Sequence, residues 1–401
     1  MTEISKSTPR RIVILGATGS IGKQALEIVE NNPDLFQVVG LSAGSNLELL
    51  AQQAIKFSVD SVAIADETRA EQLIQILQDK ANGKAIPKVL AGANGAAALA
   101  SSQCDVVLNG ITGSAGLLPT VATLKAGTQL ALANKESLVI GGRAVTSLAQ
   151  PGQIVPVDSE HSALAQCLRS GSNSEVRKLI LTASGGPFRN ATAEQLAGVT
   201  VEQALNHPTW TMGPVVTINS ATMFNKGLEI IEAHLLFSVP LDRIEVVVHP
   251  QSVVHSMVEF IDGSTIAQAS PPDMHLPIAL GLAWPDRVAD SSAACDWSSA
   301  TQWSFEPVND ELFPAVQTAK RVGQLAGTAP AVMNAANEVA VDLFLGEKLP
   351  YLGIMQLVQA TVEQHIISGF VSDEHLTIED VIRASDWATN FARQLNERGS
   401  S

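Results

Sequence analysis

The stretch RIVILGATGSIG, residues 11–22, decides the fold of the first part of this chain. Its apolar first half predicts a buried strand, and Gly16, Gly19 and Gly22 then form a turn that opens a helix. A strand, a glycine-rich turn and a helix in this order are the context that a dinucleotide-binding fingerprint requires. The glycines let the backbone approach a pyrophosphate, which the N–H groups of the helix start can bind. The alternative is a glycine-rich turn that binds nothing.

Strand and helix patterns continue to alternate up to about residue 150. Further strands are predicted at 36–44, 61–66, 88–92, 105–110 and 128–134. This alternation predicts an α/β fold with a doubly wound, mostly parallel sheet of the Rossmann type. We therefore assign residues 1–154 to a nucleotide-binding domain.

The pattern changes after about residue 155. Runs rich in Val, Ile, Ser and Thr, with a hairpin signal at IDG (261–263), predict an α+β catalytic domain over 155–288 with a largely antiparallel sheet. Residues 289–310 are rich in Ser, Ala and Asp and predict a linker. Helical periodicity over 311–401 predicts a C-terminal helical bundle.

The composition excludes several classes of function. The chain has 401 residues, and 25 Lys and Arg against 40 Asp and Glu give a net charge of −15. Such a protein should repel nucleic acid and anionic membrane surfaces, so we expect neither as a partner. Three widely spaced cysteines argue against a disulfide framework and suit a reducing cytoplasm. No apolar run is long enough to predict a membrane span.

The end of the second predicted strand bears on the choice of nicotinamide cofactor. NAD enzymes usually place an acid there, and residues 41–46 contain none. Ser45 and Asn46 could instead donate hydrogen bonds to a 2′-phosphate. NADP is therefore favoured, although this turn offers no cation to bind that phosphate.

Carboxylates are concentrated in VPVDSEHSA, residues 155–163. Asp158 and Glu160 are two residues apart, so on an extended segment they point to the same side. All-oxygen ligands suit Mg²⁺ or Mn²⁺. A solvated strand end is the alternative for an isolated pair of this kind.

A second polar group lies in INSATMFNKGLEIIEAH, residues 218–234. The spacing places Asn225, Lys226 and Glu229 on one face of a helix. An amide, an ammonium and a carboxylate together could hold a phosphate and a metal ion. The alternative is an exposed Lys–Glu pair.

Three shorter segments could also contribute to a site. TASGGPF (182–188) could bind an anion through Ser184 and its two glycines, or could be an ordinary turn. NHPTWTMG (206–213) has the composition of a lid over a ligand, or of a surface loop. ALANKESLVIGG (131–142) follows a buried strand, where ligands bind in such sheets, although Lys135 and Glu136 could equally start a solvated helix.

Taken together and in this order, these segments resemble the 1-deoxy-D-xylulose 5-phosphate reductoisomerase family. The matching strings are GATGSIG, LANKESLV, VDSEHSA, ASGGPF, HPTWTMG and INSATMFNKGLE, and the resemblance extends over nearly the whole chain. It implies conversion of 1-deoxy-D-xylulose 5-phosphate and NADPH to 2-C-methyl-D-erythritol 4-phosphate with a divalent metal ion, in the non-mevalonate route to isoprenoid precursors. It also implies a homodimer.

The same resemblance implies roles for individual residues. The metal ligands would be Asp158, Glu160 and Glu229. The substrate would be bound by Lys135, Ser159, Glu160, Ser184, His207, Trp210, Ser220, Asn225, Lys226 and Glu229, with Lys135, Asp158, Glu160, His207 and Glu229 as catalytic residues. The NADPH site would comprise Gly16, Thr18, Gly19, Ser20, Ile21, Gly44, Ser45, Asn46, Asn134, Glu136 and Gly213, and residues 206–213 would form the flap.

One position departs from the family pattern. Many members carry a basic residue where this chain has Ser45, so the sequence alone leaves the strength of NADPH over NADH preference open. Two other functions remain as alternatives. One is an NADP-dependent semialdehyde dehydrogenase, which would need a catalytic cysteine. The other is an NADP-binding sensor, which would leave the carboxylates without a role.

Overall fold

The structure is a computed structural model that describes residues 8–399. Its strands are β1 Arg10–Leu15, β2 Phe36–Ala43, β3 Ser61–Ile64, β4 Lys88–Ala91, β5 Val106–Asn109, β6 Gln129–Leu132, β7 Ile154–Pro156, β8 Val176–Ala183, β9 Ile244–Val248, β10 Val254–Phe260, β11 Thr265–Ala269 and β12 Glu306–Pro307.

The helices of the first half are α1 Ser20–Asn31, α2 Leu47–Phe57, α3 Ala70–Ala81, α4 Gly95–Ala100, α5 Leu117–Lys125, α6 Lys135–Thr146, α7 Ser159–Cys167, α8 Ala193–Ala197 and α9 Val201–Leu205. Those of the second half are α10 Pro214–Ala221, α11 Phe224–Phe237, α12 His275–Ala283, α13 Ala315–Leu325, α14 Ala329–Leu345, α15 Tyr351–Ser368 and α16 Ile378–Gly399.

The chain divides into two compact units. The first comprises the residues up to Asn134 together with Leu148–Asp158 and Asp273–Ser292, and the second comprises Lys135–Ser147, Ser159–Pro272 and the residues from Ala293 onward. These two units are defined by packing and not by function. The assignment of functional segments to residues 1–154, 155–288, 289–310 and 311–401 therefore stays a prediction.

The first unit contains a seven-stranded sheet in the order β4-β3-β2-β1-β5-β6-β7, and all of its pairs are parallel. Helices α1, α2, α3 and α12 pack on one face and α4 and α5 on the other. The predicted Rossmann-type parallel sheet is confirmed. The strand order reverses between β1 and β5, which is where such folds bind nucleotides.

The second unit contains a five-stranded sheet in the order β11-β10-β8-β9-β12. Strands β8 and β9 are parallel, whereas the other pairs are antiparallel. The expectation of a largely antiparallel sheet is not confirmed, because this sheet is mixed. The physical reason is the connection: after β8 the chain passes through α8 to α11 before it returns as β9, and such a crossover makes the two strands parallel.

The C-terminal helices form the predicted bundle, in which α14 packs against α13, α15 and α16. The hairpin signal is also confirmed, since β10 and β11 are joined by the turn at residues 261–264. Among the helices of residues 8–399, none is long and apolar enough to cross a membrane.

Candidate active site

The glycine-rich turn after β1 has a geometry that only glycine can adopt. Gly16 has a φ of +79°, and a Cβ there would lie 2.7 Å from the carbonyl oxygen of Gly110. A Cβ on Gly22 would lie 2.4 Å from the carbonyl oxygen of Gly16. The turn and the first turn of α1 are therefore packed so closely that a side chain at either glycine would clash with backbone atoms.

Helix α1 begins directly after this turn, with Gly19 as its N-cap. No side chain caps the helix start in the described structure, and its first turn contains no acidic residue. The N–H groups at this end can therefore serve an anion. Thr18, Ser20 and Ile21 lie in the same segment, and their role in the cofactor site stays a prediction.

The remaining cofactor residues lie elsewhere in the fold. Gly44, Ser45 and Asn46 are exposed in the turn after β2, where the Asn46 side chain accepts a hydrogen bond from the N–H of Leu49 and caps α2. Asn134 follows β6 in the first unit, and its amide donates to the carbonyl of Gly113 at 2.8 Å. Glu136 and Gly213 belong to the second unit, Glu136 in the first turn of α6 and Gly213 as the N-cap of α10.

The second unit contains a buried group of lysines and carboxylates. Lys226 Nζ donates to Glu160 Oε1 at 2.7 Å and also to the Glu229 carboxylate. Lys135 Nζ donates to Glu229 Oε1 at 2.9 Å and to Asn225 Oδ1 at 3.0 Å, and the amide of Asn225 donates to Glu229. Helices α6, α7 and α11 thus bring together polar residues from three segments that lie far apart in the sequence.

The burial of this group makes its charge balance important. Glu229 is 1% exposed and Lys226 4%. Burial by itself lowers the pKa of Lys226, but the carboxylates of Glu160 and Glu229 outweigh that effect and hold the pKa above its usual value. The charged form of Lys226 is therefore favoured by the two carboxylates on either side of it.

Asp158 completes a set of three carboxylates. It is joined directly to Ser159, the first residue of α7, so the local backbone sets its position beside Glu160. One oxygen each from Asp158, Glu160 and Glu229 lies within 4.8 Å of the others. The segment is not fully extended as the spacing argument assumed, because Glu160 already lies in the first turn of α7, and Ser159 Oγ bonds to its carboxylate.

The predicted phosphate residues Ser184 and Ser220 meet at the imidazole of His207. His207 Nε2 lies 3.0 Å from Ser184 Oγ and 3.1 Å from Ser220 Oγ. The close approach of Ser184 and Ser220 depends on Gly186, which has a φ of +64°. A Cβ added at this position would lie 2.8 Å from the carbonyl oxygen of Ser220. A larger residue there would separate the end of β8 from α10.

The protonation pattern of His207 follows from its partners. Nδ1 accepts hydrogen bonds from the backbone N–H groups of Thr209 at 3.1 Å and Trp210 at 2.9 Å. The neutral ring must then carry its proton on Nε2, which faces the two serines. Burial lowers the pKa of His207, which favours this neutral form.

Residues 206–213 have no regular secondary structure, as a flap requires. Pro214 follows at the first position of α10 and fixes where the helix begins. The Trp210 ring lies 6.2 Å from the ring of His255, a buried residue of β10. The sequence argument did not select His255, because a single histidine within a strand gives no signal of its own.

The sequence argument also missed a pair of buried residues, His161 and Glu232, that supports the carboxylates of Glu160 and Glu229. His161 Nε2 donates to the carbonyl oxygen of Glu229 at 2.9 Å, and its Nδ1 lies 3.3 Å from Glu232 Oε2. Both side chains are fully buried. They link α7 to α11, the two helices that carry Glu160 and Glu229. The position of His161 directly after Glu160 was the only signal in the sequence.

Two of the three cysteines, Cys104 and Cys167, do not resemble catalytic nucleophiles. Burial raises the pKa of Cys104 and of Cys167 to about 11, so both are thiols at neutral pH. The semialdehyde dehydrogenase alternative thus has no support at these two positions.

A Rossmann-type sheet with a nucleotide turn, together with a buried group of carboxylates and lysines, defines a nucleotide-dependent enzyme that acts on an anionic small molecule. Three family models match the chain: 1-deoxy-D-xylulose 5-phosphate reductoisomerase over residues 12–142, its C-terminal domain over 154–237, and the DXP reductoisomerase C-terminal domain over 269–391. The chain belongs to the 1-deoxy-D-xylulose 5-phosphate reductoisomerase family.

Relatives of that name are similar along their whole length. The reductoisomerase of Kitasatospora griseola is 60% identical and covers 96% of this chain and 99% of its own, and that of Streptomyces coelicolor is 57% identical over 96% and 93%. The Zymomonas mobilis enzyme in complex with NADPH has a TM-score of 0.88 at 40% identity, covering 97% and 99%. A DOX-P reductoisomerase in complex with NADPH, fosmidomycin and magnesium has a TM-score of 0.89 at 36% identity, covering 97% and 98%.

Proposed function

We propose that this chain converts 1-deoxy-D-xylulose 5-phosphate, NADPH and a proton to 2-C-methyl-D-erythritol 4-phosphate and NADP⁺, in the route to isoprenoid precursors. The observation that carries the proposal is the buried group of Glu160, Glu229, Lys226 and Lys135. A sugar phosphate needs cations for its phosphate and oxygen ligands for a metal ion, and this group supplies both. Family membership gives the reaction class.

The donor set fits a divalent metal ion. Asp158, Glu160 and Glu229 offer only oxygen atoms, which suits Mg²⁺ or Mn²⁺. When bound, the ion would act as a Lewis acid on the substrate carbonyl and neighbouring hydroxyl oxygens. His161 would keep α11 in register with α7, since its bond to the Glu229 carbonyl orients the backbone that carries this ligand.

The chain itself binds and orients the substrate. Lys226, Asn225, Ser184 and Ser220 would hold the phosphate, and Lys135, Ser159 and His207 would contact the sugar portion. Lys135 supports this role because its ammonium is held in place by Asn225 Oδ1 and Glu229 Oε1. A fixed donor next to the rearranging carbon skeleton can stabilise the oxyanion that forms when a carbon–carbon bond breaks.

Water must be excluded while that bond is broken and remade. The flap at residues 206–213 would do this, with Trp210 and Met212 over the ligand. The flap is connected to the phosphate residues through His207, whose Nδ1 binds two flap N–H groups and whose Nε2 faces Ser184 and Ser220. A ligand phosphate bound at Ser184 and Ser220 would therefore also order the flap, through His207.

The NADPH site would combine the turn at Gly16, Thr18, Gly19, Ser20 and Ile21 with Gly44, Ser45, Asn46, Asn134, Glu136 and Gly213. The tight approach at Gly16 and Gly22 and the uncapped start of α1 support the pyrophosphate end of this assignment. The related Zymomonas mobilis structure is a complex with NADPH, and a second related reductoisomerase structure is a complex with NADPH, fosmidomycin and magnesium.

We also infer a homodimer, a cytoplasmic location and the four functional segments predicted above. Strand β11 supports the homodimer, since it forms an edge of its sheet and its first residues are exposed. An exposed edge strand can pair with a second copy.

The test of the function is NADPH oxidation with 1-deoxy-D-xylulose 5-phosphate in the presence of Mg²⁺ or Mn²⁺ and after chelation, with the product identified by NMR. We expect oxidation that requires both the substrate and the metal. A chain that binds NADPH but oxidises none of it with this substrate would instead support the nucleotide-binding sensor.

A further inference from the structure

The turn after β2 lacks the cation that an NADP site usually has. Gly44, Ser45 and Asn46 are exposed and uncharged. The side-chain oxygen of Asn46 already accepts a hydrogen bond from the N–H of Leu49 and so caps α2. In Rossmann-type folds the residues at this position face the ribose 2′ position of the adenine nucleotide. A 2′-phosphate at this turn would therefore meet no charge from the turn itself.

A cation reaches the same turn from the neighbouring connection. Strand β3 pairs with β2 in parallel, with Ala43 opposite Ile64, so the carboxyl ends of the two strands lie side by side. The short 3-10 turn after β3 ends at Arg69. Arg69 Nη1 donates to the carbonyl oxygen of Ser45 at 2.9 Å, and its Nε donates to Gln72 Oε1 at 3.2 Å.

These two bonds hold the guanidinium group in place without saturating it. They use two of its five N–H groups, counted over the part of the chain that the structure describes. A guanidinium fork binds phosphate oxygens in pairs, and a pre-oriented one loses little side-chain entropy on binding. The arginine is only partly buried, so a ligand on the surface of the turn can reach it.

Asp66, three residues before Arg69 in the sequence, has hydrogen-bond partners of its own. Asp66 accepts from Thr68 Oγ1 at 2.6 Å and from the Thr68 N–H at 3.0 Å. The Thr68 hydroxyl is the main cause of a lowered pKa at Asp66, and Arg69 contributes to it. The carboxylate thus caps its own turn, and the arginine is bonded to a backbone carbonyl and an amide rather than to an acid.

We propose that Arg69 binds the 2′-phosphate of NADPH and is the residue that gives this chain its preference for NADPH over NADH. The inference rests on the proposed cofactor site and adds a specificity-determining residue to it. The positive charge that many family members carry in the turn after β2 is here supplied by the turn after β3.

The experiment compares Arg69→Gln and Arg69→Lys with the unchanged chain. For Arg69→Gln we expect kcat/KM with NADPH to fall about 10- to 100-fold, which is the usual effect of losing a hydrogen-bonded charge partner. With NADH, kcat/KM should change less than about twofold, because NADH has no 2′-phosphate. Arg69→Lys should give an intermediate value with NADPH, since lysine restores the charge without the planar fork.

A matched control is Lys80→Gln, which removes a cation from α3 of the same unit. Lys80 pairs with Glu48 at 3.1 Å, and neither residue belongs to the predicted cofactor site. This variant should keep the ratio of NADPH to NADH efficiency. An equal loss with both cofactors in Arg69→Gln, or no loss with NADPH, overturns the proposal.

Cofactor binding separates this proposal from the proposed reaction. The dissociation constants of NADPH and NADH, measured by fluorescence without substrate, should show the same selective loss in Arg69→Gln even if the chain turned over a different substrate. If NADPH and NADH had equal dissociation constants in the unchanged chain, the proposed role of Arg69 would be overturned. The proposed reaction would not be affected by that result.

Discussion

The imidazole Nδ1 of His207 accepts a hydrogen bond from the backbone N–H of Trp210 at 2.9 Å, and this contact sets the polarity of the neighbouring serines. With its proton on Nε2, His207 donates toward Ser184 Oγ. Ser184 Oγ also accepts from the N–H of Gly186 at 3.2 Å. Because a hydroxyl oxygen has two acceptor positions, the Ser184 hydrogen is left to donate to a ligand, as a phosphate requires.

The tautomer of His207 can be observed directly. In ¹⁵N-histidine-labelled protein at neutral pH, we expect the His207 signals to show a protonated Nε2 and an unprotonated Nδ1, because two backbone N–H groups bind Nδ1. The signals are assigned by their absence from His207→Gln. A protonated Nδ1 in the neutral ring would contradict the described geometry.

Two variants of His207 test what this polarity does. Glutamine can place a carbonyl oxygen toward the flap and an NH₂ group toward the serines, whereas leucine can do neither. We expect His207→Leu to raise the KM for the substrate about 10- to 100-fold, and His207→Gln to raise it about fivefold or less. NADPH dissociation constants serve as the control and should stay close to that of the unchanged chain. Equal KM values for the two variants would show that only the volume of the ring matters.

Glu229→Gln should weaken metal binding strongly. Glu229 is buried, belongs to the three-carboxylate set and is bonded by Lys135 and Lys226, so its removal also leaves two ammonium groups short of a partner. Loss of a ligand should cost at least as much as the roughly 100-fold seen for supporting residues, and turnover should be lost. Electron paramagnetic resonance of Mn²⁺ measures the affinity. The control is Glu245→Gln, an exposed β9 residue paired with Lys178, which should bind Mn²⁺ unchanged.

The charges of the buried group predict that metal and phosphate bind cooperatively. Asp158, Glu160 and Glu229 against Lys135 and Lys226 give −3 + 2 = −1. A phosphate dianion alone would bring this charge to −3, whereas a divalent cation bound first keeps the final charge at −1. Inorganic phosphate should therefore bind more tightly with Mn²⁺ present than after chelation. Equal affinities would show that the phosphate lies outside the influence of these carboxylates.

Lys226→Gln should weaken the binding of phosphate but not the binding of the metal ion. Removing the ammonium from between Glu160 and Glu229 leaves Mn²⁺ affinity equal or stronger, because the local potential becomes more negative. Phosphate should bind at least about tenfold more weakly. Without metal the variant should also melt at a lower temperature, since two buried carboxylates then face each other, and Mn²⁺ should restore much of the loss. Parallel losses of both ligands would indicate a general collapse of the site.

Local patterns in the sequence predict the parts of this molecule that depend on neighbouring residues. The apolar run before Gly16 predicts β1, and the spacing of Asn225, Lys226 and Glu229 predicts their common face on α11. The parallel sheet of the first unit follows from regular alternation of strands and helices.

Features that depend on which elements become neighbours in space were not predictable in the same way. The parallel pairing of β8 with β9 follows from a crossover of four helices, which the Val- and Ile-rich runs do not reveal. Arg69 meets Ser45 only because β3 is the neighbour of β2 in the sheet. The pair of His161 and Glu232 is 71 residues apart in the chain, and the contact exists only after α7 and α11 have packed.

The first unit contains a histidine whose charge should make stability depend on pH. His275 at the start of α12 lies between two carboxylates, with Nδ1 2.7 Å from Asp273 Oδ1 and Nε2 2.9 Å from Glu27 Oε2. Partial burial lowers the pKa of His275, but the bonds to Glu27 and Asp273 outweigh it, so that the pKa is raised. Partial burial likewise raises the pKa of Asp273, but the bonds from His275 outweigh it and lower the pKa.

The signs of these two shifts define a pH window for the stabilising effect. A raised histidine pKa contributes stability below the unfolded value of about 6.5 and loses it as the pH rises through the folded value. A lowered aspartate pKa contributes stability above about 3.9 and loses it as the pH falls. The free energy of unfolding of His275→Gln should therefore differ most from that of the unchanged chain between about pH 4 and 6.5, by less than about 1 kcal/mol because solvent reaches these partly exposed side chains and screens their charges. The difference should shrink by pH 9. His375→Gln, at an exposed position, serves as the control for the effect of the substitution itself. A His275→Gln effect that stays constant from pH 5 to pH 9 would mean that packing, rather than charge, ties α12 to α1.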